Sequence, residues 1–202
     1  MCIRDRRSLE LDAANQALSK SEARLALALK ASELGLWDWN LQTDEVHHTH
    51  IQELFGLEPE FVTAMLRHLK PRLHPEDLPS LRRALVEHLK GRSEDYQIEY
   101  RVRHGDGHWV WIEDRGRAVE RSDSGRVIRM VGTRRDISAS KMLEAQQQLA
   151  ATVFEAASEG IMIFDPNYAL IAVNQAFSRL TGYDIDDMLG RNVVELPCCS
   201  SA

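Results

Sequence analysis

The sequence predicts an α+β fold in which one five-stranded antiparallel sheet carries helices on one face. Two observations predict it. Between residues 35 and 91, two short strand patterns come first and helical patterns follow, the last with a leucine stripe along one side. From residue 96 onward, apolar residues alternate with polar ones, which is the period of a strand. Successive strands joined by short turns pair antiparallel, so the later ones extend the sheet as a meander.

The first two strands are predicted at residues 37–41 and 46–48, on either side of a polar turn. Thr49 is expected to open a short helix, because its hydroxyl can accept the third helical N–H while Gln52 reaches back in a capping box. Gly56 ends that helix. The segment is therefore expected to form a hairpin followed by one short helix.

A longer helix is predicted to start at the motif His74-Pro75-Glu76-Asp77. Proline is tolerated at the first helical position, and carboxylates favour the positive end of the helix dipole. Pro79 either kinks this helix or marks its true start. Gly91 closes it. The face that packs against the sheet carries a stripe of leucines, namely Leu78, Leu81, Leu85 and Leu89.

The meander has the strongest strand signal in the chain. Residues 96–103 alternate between apolar and polar, the turn Gly105-Asp106-Gly107 reverses the chain, and residues 108–112 return. A second polar turn at residues 121–125 precedes a last strand over residues 127–135. With the first hairpin, these strands make up the five-stranded sheet.

Two long helices are predicted to flank this unit. Residues 8–34, rich in Ala, Leu, Glu and Lys, predict an N-terminal signalling helix that ends at Gly35. Residues 138–157 predict a connector helix. Residues 1–7 break the helical pattern and are expected to be a non-native tail. Apolar residues spaced seven apart favour a short coiled-coil seam in both helices, formed by Leu11, Leu18 and Leu25 in the first and by Met142, Leu149 and Ala156 in the second. For the first helix the alternative is a single helix packed on its own domain.

An internal repeat relates the two ends of the chain. Gly160 follows Gly35 at nearly the same distance along the sequence as Gly182 follows Gly56, and similar strand and turn patterns lie between them. Two copies of one domain are therefore predicted. The first covers residues 35–137, and the second, over residues 158–202, is expected to be truncated.

Composition excludes several classes of protein. A total of 25 Lys and Arg against 31 Asp and Glu gives a net charge of −6, which lacks the basic excess of a nucleic-acid-binding protein. No apolar run approaches the ~20 residues that span a bilayer, so we expect no membrane contact by this segment. The cysteines form neither a disulfide framework nor a zinc clip, and a cytoplasmic location is expected: Cys2, Cys198 and Cys199.

Several motifs, in this order, resemble a PAS domain with its PAC closing segment: Gly35-Leu36-Trp37-Asp38-Trp39-Asn40, His74-Pro75-Glu76-Asp77, Gly105-Asp106-Gly107-His108-Trp109-Val110 and Gly132-Thr133-Arg134-Arg135-Asp136-Ile137-Ser138. Residues 153–183 look like the opening third of a second PAS domain. The resemblance implies a PAS fold that senses a small-molecule ligand or a partner. It also implies a homodimer, expected here through the flanking helices.

The resemblance further implies a place in signal transduction. Such domains lie upstream of cyclic di-GMP diguanylate cyclases or phosphodiesterases and of sensor histidine kinases in bacteria. The second copy looks most like the cyclic di-GMP proteins, so input to such an enzyme is the first prediction. Input to a histidine kinase, or a ligand-free homodimerisation spacer, is the alternative. The sequence contains no catalytic constellation, so we expect this segment not to be an enzyme and the effector to follow it.

Flavin and haem each demand particular residues in a domain of this kind. A photoreactive flavin site resembling the family's needs a cysteine after Gly190-Arg191-Asn192, where this sequence has Val193. Haem needs an axial histidine. His74 is expected to cap a helix, and His88 to lie at the solvent edge of the leucine stripe. The remaining candidates alternate across a strand, so neither a cofactor nor a metal is predicted: His47, His48 and His50.

One set of large side chains is the candidate ligand cavity. Alternate residues of a strand share a face, so one residue of each tryptophan pair is expected on the helix-covered side; the faces of Trp109 and Trp111 stay open. The set forms either plain core or the lining of a pocket for a small apolar ligand. Its members are Trp37, Trp39, Phe55, Leu85, Tyr100, Trp109 and Trp111.

The candidate signal hinge is Asp136-Ile137-Ser138, which resembles the Asp-Ile-Thr exit motif of the family. An aspartate at the strand end can bond the sheet while the next residue starts the connector helix, so a shifted sheet would re-aim the helix. The alternative is an ordinary helix N-terminus capped by Asp136 or Ser138. The arginines of the sheet are expected to be solvated charges at its edge: Arg101, Arg134 and Arg135.

Overall fold

The computed structural model describes residues 15–21, 23–24, 27–28, 31–57 and 69–192. The chain divides into two compact units, Met1–Ala139 and Ser140–Ala202. The described part of the predicted N-terminal helix is helical as far as residue 31, and Leu18 there is 58% exposed. Leu11 and Leu25 lie outside the described residues, so the coiled-coil seam stays a prediction.

A five-stranded antiparallel sheet forms the first unit, as predicted. Its neighbours are hydrogen-bonded in the order β2-β1-β5-β4-β3. The first and last strands of the unit thus pair with each other, with Trp37 opposite Gly132 and Trp39 opposite Met130. The strands are β1 (Gly35–Asn40), β2 (Glu45–His48), β3 (Tyr96–Arg103), β4 (Trp109–Arg121) and β5 (Val127–Asp136).

Helices cover one face of this sheet. They are α1 (Ile51–Phe55), a single 3-10 turn (Lys70–Arg72) and α2 (Leu78–Leu89). The predicted leucine stripe of α2 packs on the core, with Leu78 and Leu81 against one buried cluster and Leu85 and Leu89 against another. Along most of each strand every second residue enters this core, so the alternation predicted the strands correctly.

The start of α1 differs from the prediction. The Thr49 hydroxyl accepts a hydrogen bond from the Leu36 N–H at 2.8 Å, so it serves the β1 strand and not the helix. His50 precedes α1 with a φ of 55° and no side-chain cap, and the capping box with Gln52 is therefore wrong. Gly56 ends the helix as predicted, its N–H donating to the Gln52 carbonyl.

The start of α2 also lies later than predicted. The helix begins at Leu78 with Pro79 in its first turn, so Pro79 marks the true start and does not kink the helix. The Asp77 carboxylate is drawn away from the helix by Arg101, whose backbone N–H and guanidinium donate to it at 2.8 to 3.0 Å. His74 does not cap the helix either, because the helix begins four residues after it. Its Nδ1 accepts from the Glu76 N–H at 3.4 Å, and its ring packs edge-on against Trp109 at 4.8 Å.

Gly35 does not end the N-terminal helix. The helical residues stop at residue 31, Glu33 takes a φ of 54°, and Gly35 is already the first residue of β1. A non-glycine residue therefore makes the left-handed turn that the sequence assigned to glycine. The pairing of Gly35 with Arg134 on β5 extends the strand to this point.

The connector helix and the second unit follow. Helix α3 spans Ser138–Ala156, and none of its side chains is buried. Asn174 caps α4 by accepting from the Phe177 N–H at 3.1 Å, and Gly182 ends it, both as predicted. None of the helices over the described residues combines the length and apolar character needed to cross a membrane. The elements of the second unit are β6 (Met162–Phe164), β7 (Leu170–Val173), α4 (Gln175–Thr181) and α5 (Ile185–Met188).

Candidate functional site

A pocket of about 790 Å³ lies between α2 and the sheet of the first unit. The carboxylate of Asp114 lies at its polar end, and the exposed side chains of Lys70 and Arg82 stand at its rim. This volume is in the range of small-molecule sites, which are mostly apolar with a few polar groups. Leucines from α2 face aromatic rings from the sheet across it: Leu78, Leu81, Leu85, Trp37, Trp39, Tyr96 and Tyr100.

The polar end of the pocket is organised around the fully buried carboxylate of Asp114. Trp37 donates to it from Nε1 at 2.6 Å, Tyr100 from its hydroxyl at 2.8 Å, and Arg134 from Nε at 2.9 Å. Three donors on three different strands thus converge on one side chain. A buried charge is tolerated when it is paired and hydrogen-bonded, and here both conditions are met.

Arg134 is buried, which corrects the expectation of a solvated sheet-edge charge. It is 2% exposed, and its guanidinium carbon lies 5.5 Å from the Trp37 ring centre and 6.0 Å from that of Phe55. Burial opposes its charge, but Asp114 and Tyr100 outweigh burial, so the pKa of Arg134 lies above its ordinary value. Arg101 and Arg135 do lie on the outer face, where they pair with carboxylates.

Burial also shifts the pKa values of three other titratable side chains around this network. It raises the pKa of Tyr96 and Tyr100 well above the ordinary value, so both stay neutral hydroxyls. For His48, burial first and the charges of Arg134 and His47 next lower the pKa to about 3. The Nδ1 atom of His48 lies 3.3 Å from an Arg134 nitrogen, while its Nε2 is buried without a hydrogen-bond partner. The imidazole is thus held neutral beside a cation.

The indole of Trp37 lies flat over two glycines of neighbouring strands. A Cβ atom at Gly132 would lie 2.4 Å from the Trp37 ring, and one at Gly116 would lie 2.5 Å from it. Glycine at these positions therefore lets the ring approach the sheet and reach Asp114. The ring also meets Tyr96 edge-on, with centres 6.2 Å apart.

The predicted cavity set divides into two groups. Trp37, Trp39, Leu85 and Tyr100 line the pocket. Phe55 is buried at 2% exposure in the adjoining core but is not among the lining residues. The other two predicted members lie on the opposite face of the sheet, because Val110 and Ile112 take the inward positions of β4: they are Trp109, 43% exposed, and Trp111, stacked against Arg101.

His88 was expected at the solvent edge of α2, and this is wrong. It is 1% exposed, its Nε2 accepts from the Ala118 N–H at 3.0 Å, and its Nδ1 lies 3.0 Å from the Ser93 carbonyl. Both ring nitrogens are therefore engaged, Nε2 with β4 and Nδ1 with the loop that follows α2. Neither is available as a haem ligand in this arrangement.

The candidate hinge joins β5, β4 and α3 by three hydrogen bonds. The Ile137 N–H donates to the Trp111 carbonyl at 2.9 Å, and the Trp111 N–H donates to the Ser138 hydroxyl at 2.9 Å. Asp136 accepts from the Ser138 N–H at 2.7 Å, at the first residue of α3. The side chain that bonds the sheet is thus that of Ser138, while Asp136 caps the helix.

Sequence reasoning missed the inward-facing polar residues. Asp114 lies in phase with Val110 and Ile112 on β4, and Arg134 lies in phase with Met130 on β5. The period-two pattern therefore contained the signal that both point into the core. The pattern alone does not predict their burial, because charged residues are rarely buried unless they are paired, and the pairing partner lies on another strand.

The sheet order, the helices on one face and the pocket beneath them define a class, the small α+β sensory domain. Residues 47–134 match a family model described as the PAS fold, and residues 148–201 match one described as the PAS domain. The chain belongs to the PAS family. Its first unit is a PAS sensory domain, and no cysteine or histidine of the described pocket lining offers a flavin adduct or a haem ligand.

Two solved structures and one curated protein resemble the chain. A sensory box histidine kinase/response regulator from Burkholderia thailandensis E264 is 32% identical, covers 63% of this chain and 95% of its own, and has a TM-score of 0.55. The N-terminal domain of a diguanylate cyclase with PAS/PAC sensor from Marinobacter aquaeolei is 31% identical, covers 54% of this chain and 98% of its own, and has a TM-score of 0.47.

The curated relative is the non-motile and phage-resistance protein of Caulobacter vibrioides, which is 23% identical over 175 residues. The match covers 84% of this chain and 21% of the relative. The chain thus spans about a fifth of the length of the curated relative it matches.

Proposed function

We propose that this chain is the sensory and signal-relay part of a bacterial signal-transduction protein, with two PAS domains in tandem. The first domain binds a small, largely apolar ligand in the pocket under α2. The observation that carries this proposal is the pocket itself, whose apolar wall and single polar end at Asp114 have the composition of small-molecule sites. The alternative is a ligand-free homodimerisation spacer.

The proposed relay runs along β5. Arg134 binds Asp114 at the polar end of the pocket, and two residues later Asp136 caps α3. A ligand that reorganises the Asp114 network shifts β5 against β4, and the Trp111–Ser138 hydrogen bond passes that shift to the start of α3. The hinge Asp136-Ile137-Ser138 then acts as the two-state element between sensing and output.

A homodimer through the flanking helices is the proposed output geometry. Met142 of α3 is 73% exposed, and Leu149 is 64% exposed. They lie seven residues apart, which is the spacing of a coiled-coil seam. Apolar side chains left in water along one stripe gain from burial against a second copy.

The effector enzyme is proposed to lie C-terminal to this segment, in the cytoplasm, and this segment itself carries no catalytic activity. The sequence favours a cyclic di-GMP cyclase or phosphodiesterase as that effector. A histidine kinase is the second candidate, and the similarity to the Burkholderia sensory box histidine kinase/response regulator supports it. Expressing the chain in place of the native input of each effector type, and assaying each output, would distinguish the two.

The ligand proposal is tested by native mass spectrometry and absorbance spectroscopy on the full chain purified from cells. We expect extra non-covalent mass on each chain, lost in the variant Leu85→Trp, which fills the pocket with a larger side chain. The matched control Leu143→Trp places the same indole on exposed α3 and should keep the ligand. A bare chain that also binds nothing from a metabolite library favours the spacer.

A further inference from the structure

A second cluster of titratable side chains lies outside the Asp114 network, in the turn between β3 and β4. His104, Asp106 and His108 occupy alternate positions of this turn. One ligand atom from each of them lies within 4.8 Å of the other two. Among the residues that the structure describes, these three form the one group of histidine, cysteine and acidic side chains close enough to share a metal ion.

The three side chains already point at one another. Nδ1 of His108 lies 2.5 Å from Oδ1 of Asp106, and Nδ1 of His104 lies 2.9 Å from the same oxygen. The two imidazole rings stack with centres 4.7 Å apart. Two imidazoles and one carboxylate are the donor set that zinc and other divalent first-row transition metals accept in proteins.

The backbone holds the turn in place. His104 donates its N–H to the His108 carbonyl at 2.8 Å, which closes the turn. Gly105 donates its N–H to the Phe55 carbonyl at 2.8 Å, and a Cβ atom there would lie 2.2 Å from the Gly56 carbonyl oxygen. Glycine is therefore required at position 105 for the turn to dock on the end of α1. Docking therefore holds the backbone of the turn in place before a metal binds.

The side chains of His104 and His108 differ in solvent exposure. The side chain of His104 is 21% exposed and its ring lies against Gly56, whereas that of His108 is 58% exposed. Ligand atoms around a tetrahedral zinc lie about 3.4 Å apart. The Nδ1–Oδ1 separations of 2.9 and 2.5 Å are shorter than this and must lengthen when a metal binds, and the exposed side chains of Asp106 and His108 have room to rotate. Asp106 is 61% exposed, so the fourth coordination position faces solvent.

We propose that His104, Asp106 and His108 form a surface site for a divalent transition metal, with zinc as the reference ion and water or a partner's side chain as the fourth ligand. Metal binding would fasten the β3–β4 turn to the end of α1, because His104 is both a ligand and the residue that packs on Gly56. The site is independent of the ligand pocket. It uses residue types that the Gly-Asp-Gly turn alone does not require.

Zinc titration calorimetry on the tag-free, chelator-treated full chain tests the proposal. We expect one zinc per chain to bind at this turn, and His108→Gln or Asp106→Asn to weaken that binding at least about tenfold, since even outer-shell changes cost that much. The matched control His47→Gln removes another exposed histidine of the same unit and should leave binding unchanged. The three cysteines of the sequence are present in every variant, so their binding cancels in the comparison.

Thermal unfolding gives a second readout. Zinc should raise the melting temperature of the unchanged chain and of His47→Gln, and should not raise that of His108→Gln, with far-UV circular dichroism confirming that each variant is folded. Equal zinc affinity and equal thermal shifts in all these proteins would overturn the proposal. In that case the cluster is a hydrogen-bonded turn in which Asp106 pairs with the two histidines.

Discussion

Arg134 donates from Nε to Oδ2 of Asp114 across 2.9 Å, and both side chains are almost completely buried. They come from adjacent strands, β5 and β4, where their backbones are in direct register. The pair lies where the ligand pocket ends and two residues before the proposed hinge. Breaking this ion pair is therefore expected to lower the stability of the sheet and to disturb the proposed relay of a signal.

Removing the charge of Asp114 should destabilise the first unit strongly. Asp114→Asn leaves the Arg134 cation buried without a counter-charge, and breaking such a pair costs about 3–5 kcal/mol. Urea unfolding of the full chain would measure it. The double variant Asp114→Asn with Arg134→Met removes the stranded cation and keeps an amide oxygen for Trp37 and Tyr100, so it should recover part of the loss. The control Asp95→Asn, in an exposed pair with Arg117, should cost less than about 1 kcal/mol. A loss of similar size in both single variants would contradict the buried-pair account.

Stability should fall as the pH drops from neutral, in part through His48. Its pKa is about 3 in the folded protein and about 6.5 when unfolded. Below pH 6.5 the imidazole is therefore protonated in the unfolded chain but stays neutral in the folded one. The stability that the neutral imidazole contributes is present above pH 6.5 and is lost as the pH falls toward 3. Between pH 7 and pH 5 the free energy of unfolding should decrease by roughly 2 kcal/mol from this group.

The pH effect is checked by urea unfolding at pH 7, 6 and 5. His48→Gln should remove this part of the slope, while His47→Gln, at an exposed neighbouring position, should keep most of it. An unchanged slope in His48→Gln would show that His48 does not carry the effect.

Gly132 should not tolerate a side chain. In Gly132→Ala the new Cβ would lie 2.1 Å from the Arg115 carbonyl oxygen and 2.4 Å from the Trp37 ring, so the ring or the strand must move. Overpacking of this kind costs about 1–3 kcal/mol. A thermal melt should show a clearly lower midpoint than that of the neighbouring control Thr133→Ala. Equal midpoints would mean that Trp37 is free to shift.

The Ser138 hydroxyl should hold the start of α3 on the sheet. Ser138→Ala leaves the Trp111 N–H without its acceptor, at a cost of about 1 kcal/mol. Hydrogen exchange at the Trp111 amide should become faster, while Ser140→Ala, at an exposed position of the same helix, should leave that amide unchanged.

In the parent protein, Ser138→Ala and Asp136→Ala should uncouple input from output without unfolding the domain. Unchanged signalling would exclude the hinge.

The exposed stripe of α3 should mediate self-association. Leu149→Glu places a charge in the proposed seam, so multi-angle light scattering should show the dimer shifting to monomer, whereas Gln147→Glu at a neighbouring exposed position should not. A chain that is monomeric before any substitution would contradict the proposal.

Local patterns predicted the elements that depend on neighbouring residues alone. The leucine spacing of α2, the alternation along β3 and the ends of α1 and α4 at Gly56 and Gly182 are all present where the sequence placed them. These features follow from helix and strand periods and from glycine chemistry, which act over a few residues.

The wrongly predicted starts of α1 and α2 share one cause: the side chain expected at the helix start forms hydrogen bonds with a residue distant in sequence. Thr49 could cap α1, but the Leu36 N–H on β1 takes its hydroxyl. Asp77 could favour the start of α2, but Arg101 on β3 binds it. A polar side chain near a helix end has several candidate partners, and only the folded chain shows which one is within hydrogen-bond distance.

The sequence by itself therefore determined the α+β architecture, the order of its elements, the resemblance to the PAS family and four of the side chains that line the pocket, because each rests on periodicity or on contiguous motifs. Only the tertiary structure decided that Asp114 and Arg134 are buried together, that His88 ties α2 to β4, and that Trp109 faces outward. A charged side chain is buried only when a counter-charge lies beside it, and here the counter-charge is on another strand, so the pair forms only when the sheet does.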